Sequence, residues 1–279
     1  MIIGTIMILM NIAQLIALFA IETFSPHNPI PTFCFKFKFQ YFFQKNHEFY
    51  KKNADFSNYS RQMILPELGL KGQKKLLDSS IAIIGMGGLG CPAAQSLIIS
   101  GIGRLVIVDG DKVELSNLHR QPLYNKNDVG LLKVDVSKSK LNDLNKNAII
   151  ETHNCYITEF NGLEILKNVD IIIDATDNFE TRSIINKLTL KSKKPLIMGA
   201  ASKMEGQVSV FRNDLPNMPC YNCLYDDIDD EINSCIDLGV LSMLTGVIGS
   251  LQATEVIKTL LNFGESLESK LLLVDLKHM

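Results

Sequence analysis

Residues 81–92, IAIIGMGGLGCP, restrict the fold more than any other stretch of the chain. Ile81, Ala82, Ile83 and Ile84 are apolar and mostly β-branched, and they run straight into Gly85, Gly87, Gly88 and Gly90. Residues 93–99, apolar apart from Gln95 and Ser96, follow with helical character. Strand, glycine turn and helix, in that order, put backbone amides at a helix N-terminus where an anion can reach them. A Cβ in the turn would forbid its backbone or hold a phosphate away. G-x-G-x-x-G alone is a weak signal; the strand before it and the helix after it make it a nucleotide signal. Gly85, Gly87 and Gly88 are the candidate contacts.

The rest of the chain supplies the sheet that such a turn needs. Residues 105–108 form a second apolar strand ending on Asp109, about 20 residues past the glycines, where a carboxylate suits both ribose hydroxyls. A lysine-bearing helix is expected over 130–147, strands over 149–155 and 169–174, and a helix over 181–190. Strands at 195–198 and 206–211, a helix over 244–261 and a strand at 271–274 complete the pattern. Gly246 and Gly249 would let the 244–261 helix pack closely. Alternating strand and helix predicts an α/β, Rossmann-like fold, a mostly parallel sheet with helices on both faces. Upstream, YSRQMILPELGLKGQKKLLDSS reads as two short helices broken near Pro66.

A hydrophobic share of 46% with 21% charged residues fits a core-forming protein, and a net charge of −2 argues against a nucleic-acid partner. Six cysteines without framework spacing suit a reducing compartment. Residues 1–21 carry no charge and approach the roughly 20 apolar residues of a membrane span, yet lack the basic flank of a secretory signal. Residues 25–52 hold five lysines, one acid and a dense aromatic cluster. Residues 1–55 read as an extension or leader, with a signal anchor, an organelle-targeting leader and misjoined upstream sequence as its three explanations. The expected compartment is the cytoplasm, with anchoring or targeting through 1–52 as the alternative.

Residues 109–121, DGDKVELSNLHRQ, follow the second strand directly and place Asn117 and Arg120 three apart, on one side of a helical turn. A dehydrogenase needs no such cluster, because the glycine turn holds its pyrophosphate. An enzyme acting on a triphosphate does, since charge accumulates on phosphate oxygens during transfer. Taken singly, Arg120 reads as a surface arginine, Lys133 as a solvated helix lysine, and Asp177 or Asn178 as a helix N-cap. Together, at the ends of successive strands, they read as a site.

The set YSRQ (59–62), GMGGLG (85–90), SNLHRQ (116–121), Lys133, TDN (176–178), EGQVSVF (205–211), CYNC (220–223) and GVIGSLQATEVIK (246–258) resembles the ThiF/MoeB/HesA family, ubiquitin-activating-enzyme-like adenylyltransferases of sulfur-carrier proteins. The resemblance covers residues 56 to about 278. It implies ATP-dependent adenylation of the C-terminal glycine of a ubiquitin-like carrier ending in Gly-Gly, for molybdopterin synthesis or tRNA thiolation, or alternatively for the thiamine pathway. It further implies that Gly88 lies against the nucleotide, Asp109 holds the ribose, and Ser116, Asn117 and Arg120 meet the phosphates, with Leu118 and His119 in the same segment. Lys133 would neutralise developing charge, Asp177 would bind Mg²⁺, and Asn178 would support the nucleotide. Arg61 resembles an arginine supplied across a homodimer interface, and a cysteine desulfurase or rhodanese is the implied sulfur donor.

Cys220 and Cys223 form one C-x-x-C, half of a structural zinc site. The family's second pair lies beyond the last strand, and this sequence stops at Met279, so truncation, loss of the zinc or other ligands are the options. Cys235 matches a family cysteine that takes the carrier's glycine or a persulfide sulfur; a thiolate is both nucleophile and leaving group. The alternative is a loop cysteine without a role. Two rival functions stand beside adenylation: an NAD-dependent oxidoreductase, resting on the glycine turn and Asp109 alone, and an inactive interaction module.

Overall fold

A computed structural model describes residues 54–225 and 239–278. By internal contacts the chain divides into two units, Met1–Gln73 and Lys74–Met279. In the first, two 3₁₀ turns, Ala54–Tyr59 and Gln62–Ile64, flank exposed Arg61, and Gln62 Nε2 donates to Gln73 Oε1 at 2.6 Å. Helix α1 (Gly69–Leu77) crosses the boundary between the units. Among the described residues no helix is long and apolar enough to span a membrane. The apolar stretch 1–21, the lysine-rich 25–52 and Cys235 lie outside them.

The second unit is built on a seven-stranded sheet in the order β3-β2-β1-β4-β5-β6-β7. Strands β1 (Ser80–Ile84), β2 (Arg104–Val108), β3 (Ile149–His153), β4 (Ile171–Asp174) and β5 (Leu196–Ser202) pair in parallel. β6 (Glu205–Phe211) and β7 (Leu271–Asp275) add antiparallel pairs. Every residue of β1 and of β4 is buried. This is why both strands are continuous apolar runs instead of alternating ones: both sheet faces are covered. Helices α2 (Gly90–Ile99), α3 (Lys133–Leu144), α4 (Gly162–Ile165), α5 (Phe179–Ser192), α6 (Tyr221–Leu224) and α7 (Ser242–Leu261) complete the unit. The α/β, Rossmann-like architecture expected from the sequence is the one that forms.

Chain order reverses direction across the sheet between β1 and β4. Crevices at the C-terminal ends of strands flanking such a switch are where open α/β sheets take ligands. Element ends shift by a few residues from the sequence reading, β5 running on to Ser202 and β3 stopping at His153, and two departures have a visible cause. The lysine-bearing helix spans only Lys133–Leu144, because Gly130 has a φ of +88° and Asn145 caps it in an extended conformation. Gly249 does bring α7 close, since a Cβ there would sit 2.4 Å from Leu89 O on the α2 side, but Gly246 faces open space and does no such packing.

Candidate active site at the β1–β4 switch

Gly85 leaves β1 with a φ of +92°, and a Cβ on it would lie 2.8 Å from Ala175 O, so the turn touches the end of β4. At Gly90 a Cβ would fall 1.9 Å from Gly85 O; the last glycine exists to let α2 fold back onto the turn. Gly87 has room, its nearest neighbour being Gln121 Nε2 at 3.7 Å. At Gly88 a Cβ would first press on Thr245 of α7, at 3.0–3.5 Å. Its constraint is therefore helix packing before it is nucleotide contact. The first turn of α2 holds no acid and its N-cap, Leu89, offers no side-chain cap. Positive potential at that end is thus left for an anion.

Asp109, at the end of β2, is only 9% exposed. Its Oδ2 accepts the Met86 amide at 2.6 Å and its Oδ1 accepts the Asp111 amide at 2.8 Å. Burial raises its carboxyl above the ordinary range, with Lys133 and the two amides opposing. The expected ribose acid is therefore also a brace for the glycine turn. Lys133 opens α3, is 6% exposed, and gives its Nζ to Asp111 Oδ2 at 2.8 Å. It is not the solvated helix lysine it could have been. Asp111 Oδ1 takes the Tyr156 phenol at 2.7 Å. Burial works to raise the Asp111 carboxyl, but the hydrogen bonds from Lys133 and Tyr156 outweigh it and hold it below the ordinary range.

The Ser116–Arg120 segment sits beside the turn. Asn117 is buried and closes a capping box with Glu114, whose amide it accepts at 3.3 Å. Ser116 Oγ bonds Glu114 at 3.2 Å, and the Ser116 carbonyl takes both Arg120 Nη1 at 2.9 Å and His119 Nδ1 at 3.0 Å. Leu118 is half-buried and His119 exposed. The Arg120 guanidinium is therefore folded back on its own turn. Thr245 links the pieces, its hydroxyl reaching Arg120 O at 3.4 Å.

At the end of β4, Asp177 and Asn178 are exposed. Asn178 Oδ1 accepts Thr181 N at 2.9 Å, so it caps α5, as one reading of the sequence held. Behind them, buried Asp174 accepts the Thr176 amide and hydroxyl at 2.9 and 2.6 Å, and buried Arg182 donates to Thr176 O at 2.7 Å and Gly199 O at 3.2 Å. Arg182, Asp174, Asp111 and Thr245 were not singled out from the sequence. Asp111 left a trace there as the second acid of DGD, and Asp174 as the last residue of the 169–174 strand.

Among the described residues no three His, Cys, Asp or Glu side chains gather in a way that could hold a metal. Mg²⁺ beside a nucleotide needs only one or two carboxylates plus phosphate oxygens, and exposed Asp177 fits that part. Cys220 and Cys223 lie with their sulfurs 3.6 Å apart, and Asn186 Nδ2 reaches Cys220 Sγ at 3.5 Å. Two thiols do not make a closed zinc site, which takes four ligands, so the described residues do not fit zinc. Buried Cys91, whose thiol burial pushes up to about 12, is packing.

A glycine turn, a strand-end acid and a buried lysine around a switch point define a nucleotide-binding α/β protein. Residues 59–279 match the ThiF family, and the chain belongs to it. It is 46% identical over 235 residues to the adenylyltransferase and sulfurtransferase MOCS3 of Aedes aegypti, covering 84% of this chain and 53% of that protein. The Culex quinquefasciatus counterpart is 44% identical with the same coverage. The chain thus spans about half the length of the curated relatives it matches. Among solved structures, PaaA superimposes with a TM-score of 0.70 at 27% identity, over 81% of this chain and 72% of that one. Escherichia coli MccB with ATP does so with a TM-score of 0.68 at 26% identity, over 80% and 69%.

Proposed function

We propose that this chain uses ATP and Mg²⁺ to adenylate the C-terminal glycine carboxylate of a ubiquitin-like sulfur-carrier protein, and that residues 56–279 form the adenylation domain. A carboxylate oxygen of the carrier attacks the α-phosphorus, pyrophosphate leaves, and the acyl-adenylate is the product passed on for sulfur transfer. The reading matches the first half of the name carried by the MOCS3 relatives.

The observation that carries it is Lys133, a buried cation beside the glycine turn and paired with a half-exposed acid. Hydride transfer from a nicotinamide has no use for that charge, whereas adenylyl transfer builds negative charge on the phosphates. In this reading Gly85, Gly87 and Gly88 line the nucleotide, Asp109 takes the ribose, and Ser116, Asn117 and Arg120 meet phosphates after Arg120 turns from Ser116 O. Asp177 holds Mg²⁺ with the phosphates. Arg61 completes the site of a second copy in a homodimer, and Cys235 is the acceptor for the carrier's glycine or sulfur.

ATP–pyrophosphate exchange, run with carriers of the molybdopterin, tRNA-thiolation and thiamine types in turn, tests the proposal. Exchange above an Asp177→Ala control with at least one carrier is expected. Exchange no faster than that control with all three, or saturable nicotinamide binding in its place, would overturn it.

A further inference from the structure

Asp111 belongs to none of the roles above, yet it is joined to two charged groups of the nucleotide site, Asp109 and Lys133. Its amide donates to Asp109 Oδ1 at 2.8 Å and its carbonyl accepts Lys133 N at 3.0 Å. Its carboxylate takes Lys133 Nζ at 2.8 Å and the Tyr156 phenol at 2.7 Å. The backbone around it is pinned as well, by the bridge between Lys112 and Leu132. Gly110, between the two acids, lies under the Tyr156 ring, which a Cβ there would meet at 3.0 Å.

These connections have a mechanical meaning. A lysine ammonium has three donors on a flexible four-carbon stem. Asp111 takes one donor and so sets the direction of the stem, leaving two for phosphate oxygens. Tyr156 occupies the other carboxylate oxygen and stops the carboxylate from swinging out to water, to which its side chain is 47% exposed. The ordering of the lysine is met on folding and is not left to the moment when charge develops on the phosphates.

We infer that Asp111 is a positioning residue: it aims the Lys133 ammonium at the nucleotide phosphates and keeps it in register with Asp109. The inference rests on the adenylation reading above. Neither partner alone would do this. Asp109 is committed to the glycine turn, and no other acid is bonded to Lys133 Nζ among the described contacts.

The test is a double-mutant cycle in ATP–pyrophosphate exchange, comparing wild type, Asp111→Asn, Lys133→Ala and the double variant with the best carrier. Asp111→Asn should lower kcat about tenfold and leave KM for ATP within about twofold, the pattern of an interaction realised in the transition state. Tyr156→Phe should lower kcat less, by about two- to threefold. In the Lys133→Ala background Asp111→Asn should change nothing further, because the aspartate acts through the lysine. A wild-type rate in Asp111→Asn would overturn the inference. So would an equal loss with and without the lysine side chain, which is what a merely structural role gives. Should Asp111→Asn fail to fold by circular dichroism, Asp111→Glu, which keeps the charge but shifts it by one methylene, takes its place in the cycle. A wild type inert with every carrier refutes the adenylation reading itself, and so is told apart from failure of Asp111.

Discussion

The two strand ends on either side of β1 are built in opposite ways. At β2 and α3 the candidate groups are buried and tied together: Asp109 to Met86 and Asp111, Asp111 to Lys133 and Tyr156. At β4 the candidates Asp177 and Asn178 stand in solvent, and the order lies behind them in Asp174 and Arg182. The first end is wired before any ligand arrives; the second presents an exposed carboxylate held by one weak bond from Asn178. Where function is separable from fold, it should be at β4. Where the two are fused, it should be at β2.

The largest effect expected is therefore at the separable end. Asp177 accepts a single weak bond, from Asn178 Nδ2 at 3.4 Å. Asp177→Ala should lower exchange about 100-fold or more, as for loss of a group that serves the transition state. Stability should stay within about 0.5 kcal/mol of wild type in urea unfolding, since the side chain is exposed. A destabilised but active variant would reverse the contrast. At the fused end, Asp109→Asn should do both. Each Asp109 oxygen accepts a backbone N–H, and an amide can accept at only one of the two positions. One buried donor then faces an NH₂, at a cost of about 1–3 kcal/mol, and nucleotide affinity should fall with it. Unchanged unfolding of Asp109→Asn would mean that the brace is not real.

This contrast also explains what could be read in the sequence. The parallel sheet was legible because β1 and β4 are buried on both faces and are written as unbroken apolar runs. Asp109 was legible because a strand-end acid at a fixed distance from a glycine turn is a local pattern. Arg182 and Thr245 were not, because each donates to a backbone carbonyl of another element, Gly199 O 17 positions from Arg182 and Arg120 O 125 positions from Thr245. Spacing cannot report such contacts. Lys133 looked like a surface lysine for the same reason; its partner Asp111 lies 22 positions away. Gly88 was legible as special but for an incomplete reason, since Thr245, the group nearest its missing Cβ, comes from α7.

Asn178 sharpens the comparison on the β4 side, where a helix cap and a proposed nucleotide contact fall on one side chain. Asn178→Ala removes the acceptor of Thr181 N and should cost about 1 kcal/mol. Asn178→Ser keeps a cap oxygen and should recover most of it. If exchange recovers with serine too, the residue acts only through α5. If exchange stays low while stability returns, the amide itself meets the nucleotide.

The smallest effect belongs to pH, and it probes the wired end. Asp111 has a carboxyl held below its ordinary value of 3.8, where hydrogen bonds from Lys133 and Tyr156 overcome the opposing effect of burial. A depressed folded-state pKa means that its stabilisation is complete above 3.8 and is lost as pH falls through the folded value. Asp109 runs the other way. Burial raises its carboxyl, so its ionised form costs stability at neutral pH, and that cost is relieved as pH drops through its raised value. The stability gap between wild type and Asp111→Asn, read from urea unfolding, should therefore be present at about pH 6 and should close as the acid limb passes the Asp111 value. A gap that stays constant down that limb would mean that the Lys133–Asp111 pair contributes through shape and not through charge, leaving the two strand ends less different than their burial suggests.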